Sequence, residues 1–177
     1  MTLNMYLRAA PVALALVLSA CGGGSDDSAT AYCPAPFTVQ DAGRLTHFKA
    51  GPGRDPRDVE YEAALAGVGA TCTLRRNRMD VNLIMRVAVS AGPSVAAGQT
   101  RVPYFVRVLG SSGQVVQGQD FTADFKLSSA NPRGQSQEEL TLTLPFNKIA
   151  ELNGYRIAVG LKPSMEELDY NRRASQR

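Results

Sequence analysis

The chain has no tryptophan, one histidine and three cysteines, and each shortage removes a class of chemistry. With His47 as the single imidazole and no Cys-x-x-Cys pair, neither a zinc-type cluster nor a thioredoxin-like redox site can be assembled in the usual way. No GxSxG elbow, HExxH, P-loop or GxGxxG occurs, and "GSSG" at 110–113 reads as a turn. Aromatic residues are only 7% of the chain, so sugar-stacking platforms are scarce. Charge of one sign is lacking too: 19 Lys and Arg face 16 Asp and Glu, a formal +3. Nucleic-acid binding normally shows as a concentrated basic stripe, and no such stripe is present. Long hydrophobic runs are also missing. The longest small, apolar stretch, Ala9 to Ala20, falls short of the roughly 20 residues that a membrane-crossing helix needs.

What that stretch does have is the layout of a signal peptide. Arg8 precedes it, and the chain then turns abruptly to "CGGGSDDS". Leu18, Ser19, Ala20 and Cys21 resemble a bacterial lipobox, in which the cysteine is lipidated and becomes the first mature residue. The alternative is an ordinary thiol after an ordinary cleavage site. The resemblance implies a lipid anchor, because several acyl chains at about 0.8 kcal/mol per buried methylene hold far more firmly than one. It also implies an address. An aspartate after the lipidated cysteine retains such proteins in the inner membrane, and here that place is Gly22, which favours the outer membrane. Residues 1–20 are therefore read as a lipoprotein signal peptide and 21–32 as lipidated cysteine plus Gly/Ser/Asp-rich tether. Residues 33–177 are read as one β-sandwich domain, with an N-terminal arm and a C-terminal helix. Loss of Arg8 leaves the mature chain at +2.

Setting Cys21 aside leaves Cys33 and Cys72, an even pair in a compartment that permits disulfides. Pairing is the economical reading and two buried free thiols the alternative; a bond would close a loop worth about 3.9 kcal/mol of chain entropy. From Cys33 to Asp58 the signals are mixed, with an extended "CPAPF", room for a helical turn in "VQDAGRLTHF" and a loop in "KAGPGRDPRD". From Val59 the period becomes two, the mark of half-buried strands. Val59 to Leu65 and Ala70 to Leu74 read as two short strands around "AGVGA", a hairpin or bulge. Met79, Val81, Leu83, Met85, Val87 and Val89 share one face of the cleanest strand. Val102 to Val108, Val115 to Leu127, Leu140 to Phe146 and Tyr155 to Leu161 bring the number to seven, with "SSANPRGQSQ" as a loop.

Seven short strands without long amphipathic helices predict an all-β, antiparallel two-sheet sandwich. "IAELNGYRIAVGL" resembles the corner of fibronectin type III domains, with Leu152, Gly154 and Tyr155 at the matching places. That resemblance implies architecture and no ligand. Ser164 and Glu167 have capping-box spacing before a short helix that ends in Arg172 and Arg173, either a docking arm or a cover for a sheet edge. Taken together, "CPAPF…DAGRLTHF", "DVEYEAALAGVGATC", "PYFVRVL" and "GYRIAVGL" followed by "YNRR" resemble a family of small bacterial lipoproteins of uncharacterised function. The resemblance supports lipidation and the Cys33–Cys72 bond and carries no catalytic residues.

Candidate chemistry is sparse. His47 reads as a half-exposed or hydrogen-bonded histidine rather than a ligand or base. Asp120, Asp124, Glu138 and Glu139 read as a solvated strand face, although scattered carboxylates can make a glycosidase pair. Arg75, Arg76 and Arg78 form the densest basic cluster, on a predicted hairpin tip, where they face solvent, anionic lipid headgroups or the phosphates of envelope glycolipid. Asp55, Asp58 and Glu60 lack EF-hand order, and Arg54 and Arg57 can pair with them. No cofactor is expected. The function these signals favour is a lipid-anchored, non-enzymatic interaction or assembly module at the periplasmic face of the outer membrane, with the membrane and another envelope protein as partners. The rivals are a carbohydrate or small-ligand binding module and a hydrolase.

Overall fold

The computed structural model describes residues 31–174. Their eight strands are β1 (Pro36–Thr38), β2 (Arg44–Phe48), β3 (Val59–Leu74), β4 (Arg78–Ala91), β5 (Gly98–Leu109), β6 (Val115–Leu127), β7 (Arg133–Pro145) and β8 (Arg156–Leu161). One helix follows, α1 (Met165–Ala174). The strands form two four-stranded sheets, ordered β1-β8-β5-β6 and β2-β3-β4-β7. The fold is the two-sheet β-sandwich that the alternating pattern predicts.

The inward row of β4 explains why the sheets stack. Met79, Val81, Leu83, Met85 and Val87 are all fully buried, against Val102, Val106, Val108, Ile157, Val159 and Leu161 of the other sheet. Each such side chain removed from water stabilises the fold by about 1.5–3 kcal/mol. The predicted corner is also present. The Tyr155 hydroxyl donates to the Pro145 carbonyl at 2.9 Å, tying the start of β8 to the end of β7. Gly154 is needed there because a Cβ would lie 2.9 Å from the Ser111 side chain. The "GSSG" turn does reverse the chain, with Gly113 at φ 80°.

Four expectations need correction. "AGVGA" does not separate two strands: β3 is one strand, with a register shift between Leu65 and Gly67 that absorbs an extra residue as a bulge. "VQDAGRLTHF" contains no helical turn; the arm turns helically later, as a short 3-10 turn at Pro56–Asp58 inside the expected loop. A reversal at Gln40–Asp41 leads directly into β2, so the arm supplies an edge strand to each sheet and eight strands replace seven. The loop ascribed to "SSANPRGQSQ" is shorter, because β7 begins at Arg133. Its first half alternates exposed residues with half-buried Gly134, Ser136 and Glu138, so hydrophobicity gives no period there. The ladder to β4 holds it instead. Finally, the sandwich is not wholly antiparallel, since β1 runs parallel to β8.

The topology gives the molecule two ends. The β3–β4 and β5–β6 hairpin tips, the β7–β8 corner and the start of β1 lie together at the N-terminal end. The β2–β3, β4–β5 and β6–β7 connections and the start of α1 lie at the opposite end.

Candidate functional site

At the opposite end a cleft of about 740 Å³ opens between the two sheets, with α1 as part of its wall. His47 projects into it from edge strand β2. Its Nδ1 lies 2.7 Å from Glu167 Oε1 of α1, and its Nε2 lies 3.5 Å from Glu60 Oε2 of β3. Its ring stacks on Tyr61, centroids 4.8 Å apart. Tyr61 in turn donates to the Arg101 carbonyl at 2.8 Å, linking β3 to the opposite sheet.

The helix half of the site follows from the capping box. The Ser164 N–H donates to Glu167 Oε2 at 2.7 Å, and the Glu167 N–H to the Ser164 hydroxyl at 3.3 Å. Glu167 thus caps its own helix with one oxygen and holds His47 with the other. Its hydrogen bond raises the His47 pKa against the opposing effect of burial. Burial pushes the Glu167 carboxyl up, but the bonds from His47 and Ser164 outweigh it and the net shift is downward. Tyr61 is also pushed up, first by burial and then by both nearby carboxylates.

Further contacts fasten α1 along β2. Tyr170 meets Phe48 edge-on at 4.9 Å, Arg54 pairs with Glu166, and Asn171 donates to the Arg44 carbonyl at 3.1 Å. Arg172, expected as a docking cation, turns inward to Asp41 at 3.1 Å, while Arg173 remains exposed. The helix therefore covers the β2 edge. A broader open trough of about 1010 Å³ beside it is floored by Ala64, Ala88 and Ser90.

The other predicted residues fall as follows. Cys33 and Cys72 are bonded, with Cα atoms 5.6 Å apart. Cys21 lies outside the described residues. Arg75, Arg76 and Arg78 sit at the β3–β4 tip, far from the cleft, and Arg75 and Arg78 share Asp80 at 3.4 and 3.0 Å. Asp55 and Asp58 cap the short 3-10 turn between them and pair with Arg57 and Lys49. Among the described residues no group of three or more His, Cys, Asp or Glu is placed to hold a metal. Asp120 pairs with Arg107 and Lys162, Asp124 accepts from Gln99, Glu138 from Tyr104 and Glu139 from Gln137.

Sequence reasoning missed Glu60, Tyr61 and Glu167 as partners of His47. The capping spacing marked Glu167, but 120 residues separate it from the histidine. No local pattern reports a contact of that range. No protein-family model matches the chain, and no curated protein matches it at a significant level.

Proposed function

We propose that this protein is a lipid-anchored, non-enzymatic component of the bacterial envelope, whose sandwich acts as an interaction or assembly module at the periplasmic face of the outer membrane. The observation that carries the non-enzymatic part is the state of the best catalytic candidate. Both His47 nitrogens face carboxylates, and the Glu167 oxygen that His47 does not hold accepts from Ser164, so the cluster is spent on fixing α1. The lipobox supports the anchor. Two measurements test the reading. Intact mass of the membrane-extracted chain should show acylation that Cys21→Ser removes, and His47→Ala should leave cellular activity near wild type. An unacylated chain that stays membrane-bound would overturn the anchor, and loss of activity at unchanged melting temperature would overturn the non-enzymatic role.

A second reading, binding of a carbohydrate or other small ligand, is favoured by the cleft, whose roughly 740 Å³ matches small-molecule sites. Saturable heat of binding, lost on Tyr61→Ala in a chain that still melts cooperatively, would select it.

A further inference from the structure

The N-terminal end of the sandwich differs from the rest of the surface in two ways. Among the described residues, five large hydrophobic side chains are exposed, and Phe37, Val115, Val116 and Ile149 are all at this end. Only Met165 lies elsewhere. The same end, over 31–37, 72–80, 109–117 and 145–157, carries Arg75, Arg76, Arg78, Lys148 and Arg156 against two carboxylates, Asp80 and Glu151. Arg75 and Arg78 share Asp80; Arg76, Lys148 and Arg156 form no ion pair with any described residue. At the opposite end the cations are mostly matched: Lys49 with Asp58, Arg54 with Glu166, Arg57 with Asp55 and Lys162 with Asp120.

The two kinds of residue interleave. Arg156 lies over the Phe37 ring at 5.8 Å, and Leu109 pairs with both Arg156 and Val115. The Phe146 N–H donates to the Asn77 carbonyl at 3.1 Å, which places Lys148 and Ile149 beside the arginine tip. Exposed apolar side chains among unpaired cations suit an interface where alkyl groups meet the acyl boundary and cations meet phosphates. The described chain also begins here, at Ala31, two residues before the Cys33–Cys72 bond and ten after Cys21.

We infer that this end rests on a bilayer of anionic phospholipid. Arg76, Lys148 and Arg156 meet headgroup phosphates, Val115, Val116 and Ile149 enter the interfacial layer, and the cleft points away from the membrane. The inference deepens the lipid-anchor reading but is tested without it. In a full-length Cys21→Ser chain, Val116→Trp supplies the sole tryptophan, and Ala97→Trp supplies one at the opposite end. Phosphatidylglycerol vesicles should shift the fluorescence of the Val116→Trp chain to the blue, phosphatidylcholine vesicles and high salt should not, and the Ala97→Trp chain should stay unshifted. Arg76→Gln and Lys148→Gln should each weaken partitioning by about fivefold. No shift at Val116→Trp, equal shifts at both ends, or binding indifferent to the two neutralised cations overturns the proposal. Acylation of the wild-type chain, read by mass, stands or falls separately.

Discussion

At the scale of single residues, His47 and Glu167 make α1 docking dependent on pH, and the sign follows from their shifts. His47 is raised above 6.5, so its contribution is complete below that value and is lost as pH climbs through the folded pKa. Glu167 is lowered from 4.5, so its contribution is complete above that value and is lost as pH falls through the folded pKa. Docking should thus be tightest between about 4.5 and 6.5, and melting curves should show a stability maximum there that flattens in His47→Gln. Because the His47 side chain is 42% exposed, water replaces part of the lost bond, and the cost should be only about 1–2 kcal/mol. Tyr155→Phe is a cleaner deletion. It removes one hydroxyl bonded to the Pro145 carbonyl and should cost about 1 kcal/mol by denaturant titration, with no change in the surface exposed on unfolding. An unchanged midpoint would mean that the corner is held by Leu152 burial alone.

Among the elements, those with an apolar period were readable from the sequence, and those held by backbone pairing or distant contacts were not. β4, β5 and β8 announce themselves through alternating Val, Leu, Met and Ile, and the Tyr155 corner through its spacing. The first half of β7 does not, because its half-buried positions are Gly134, Ser136 and Glu138, and the arm strands do not, because three and five residues are too few to show a period. The Cys33–Cys72 pairing was open to simple arithmetic, whereas the burial of Glu167 depends on a strand 120 residues away. The arm and helix can be tested separately. Cys33→Ser frees the start of the arm and should destabilise the domain by about 2–4 kcal/mol, measured on the exported protein under non-reducing conditions. Removal of 165–177 uncovers the β2 edge and strips Phe48 of Tyr170, so it should lower the melting temperature and promote aggregation. Truncation that melts like the intact chain but captures no envelope partner would reassign α1 from edge cover to docking arm.

For the whole molecule, the proposed lipid anchor would link orientation and address. A 16-residue β3 spans about 50 Å, so a sandwich resting on its N-terminal end holds the cleft about that far from the bilayer. Which bilayer this is depends, in the lipoprotein reading, on the residue after Cys21. Gly22 implies release toward the outer membrane, whereas an aspartate there implies retention in the inner one. Gly22→Asp tests the point while leaving every one of the described residues, 31–174, as it is. The melting temperature and acyl mass should match wild type, while density-gradient fractionation should move the protein from outer- to inner-membrane fractions. If wild type already fractionates with the inner membrane, or if both proteins stay in the outer one, Gly22 does not set the address. An intact melt with unchanged acylation would at the same time show that the result came from sorting and not from misfolding.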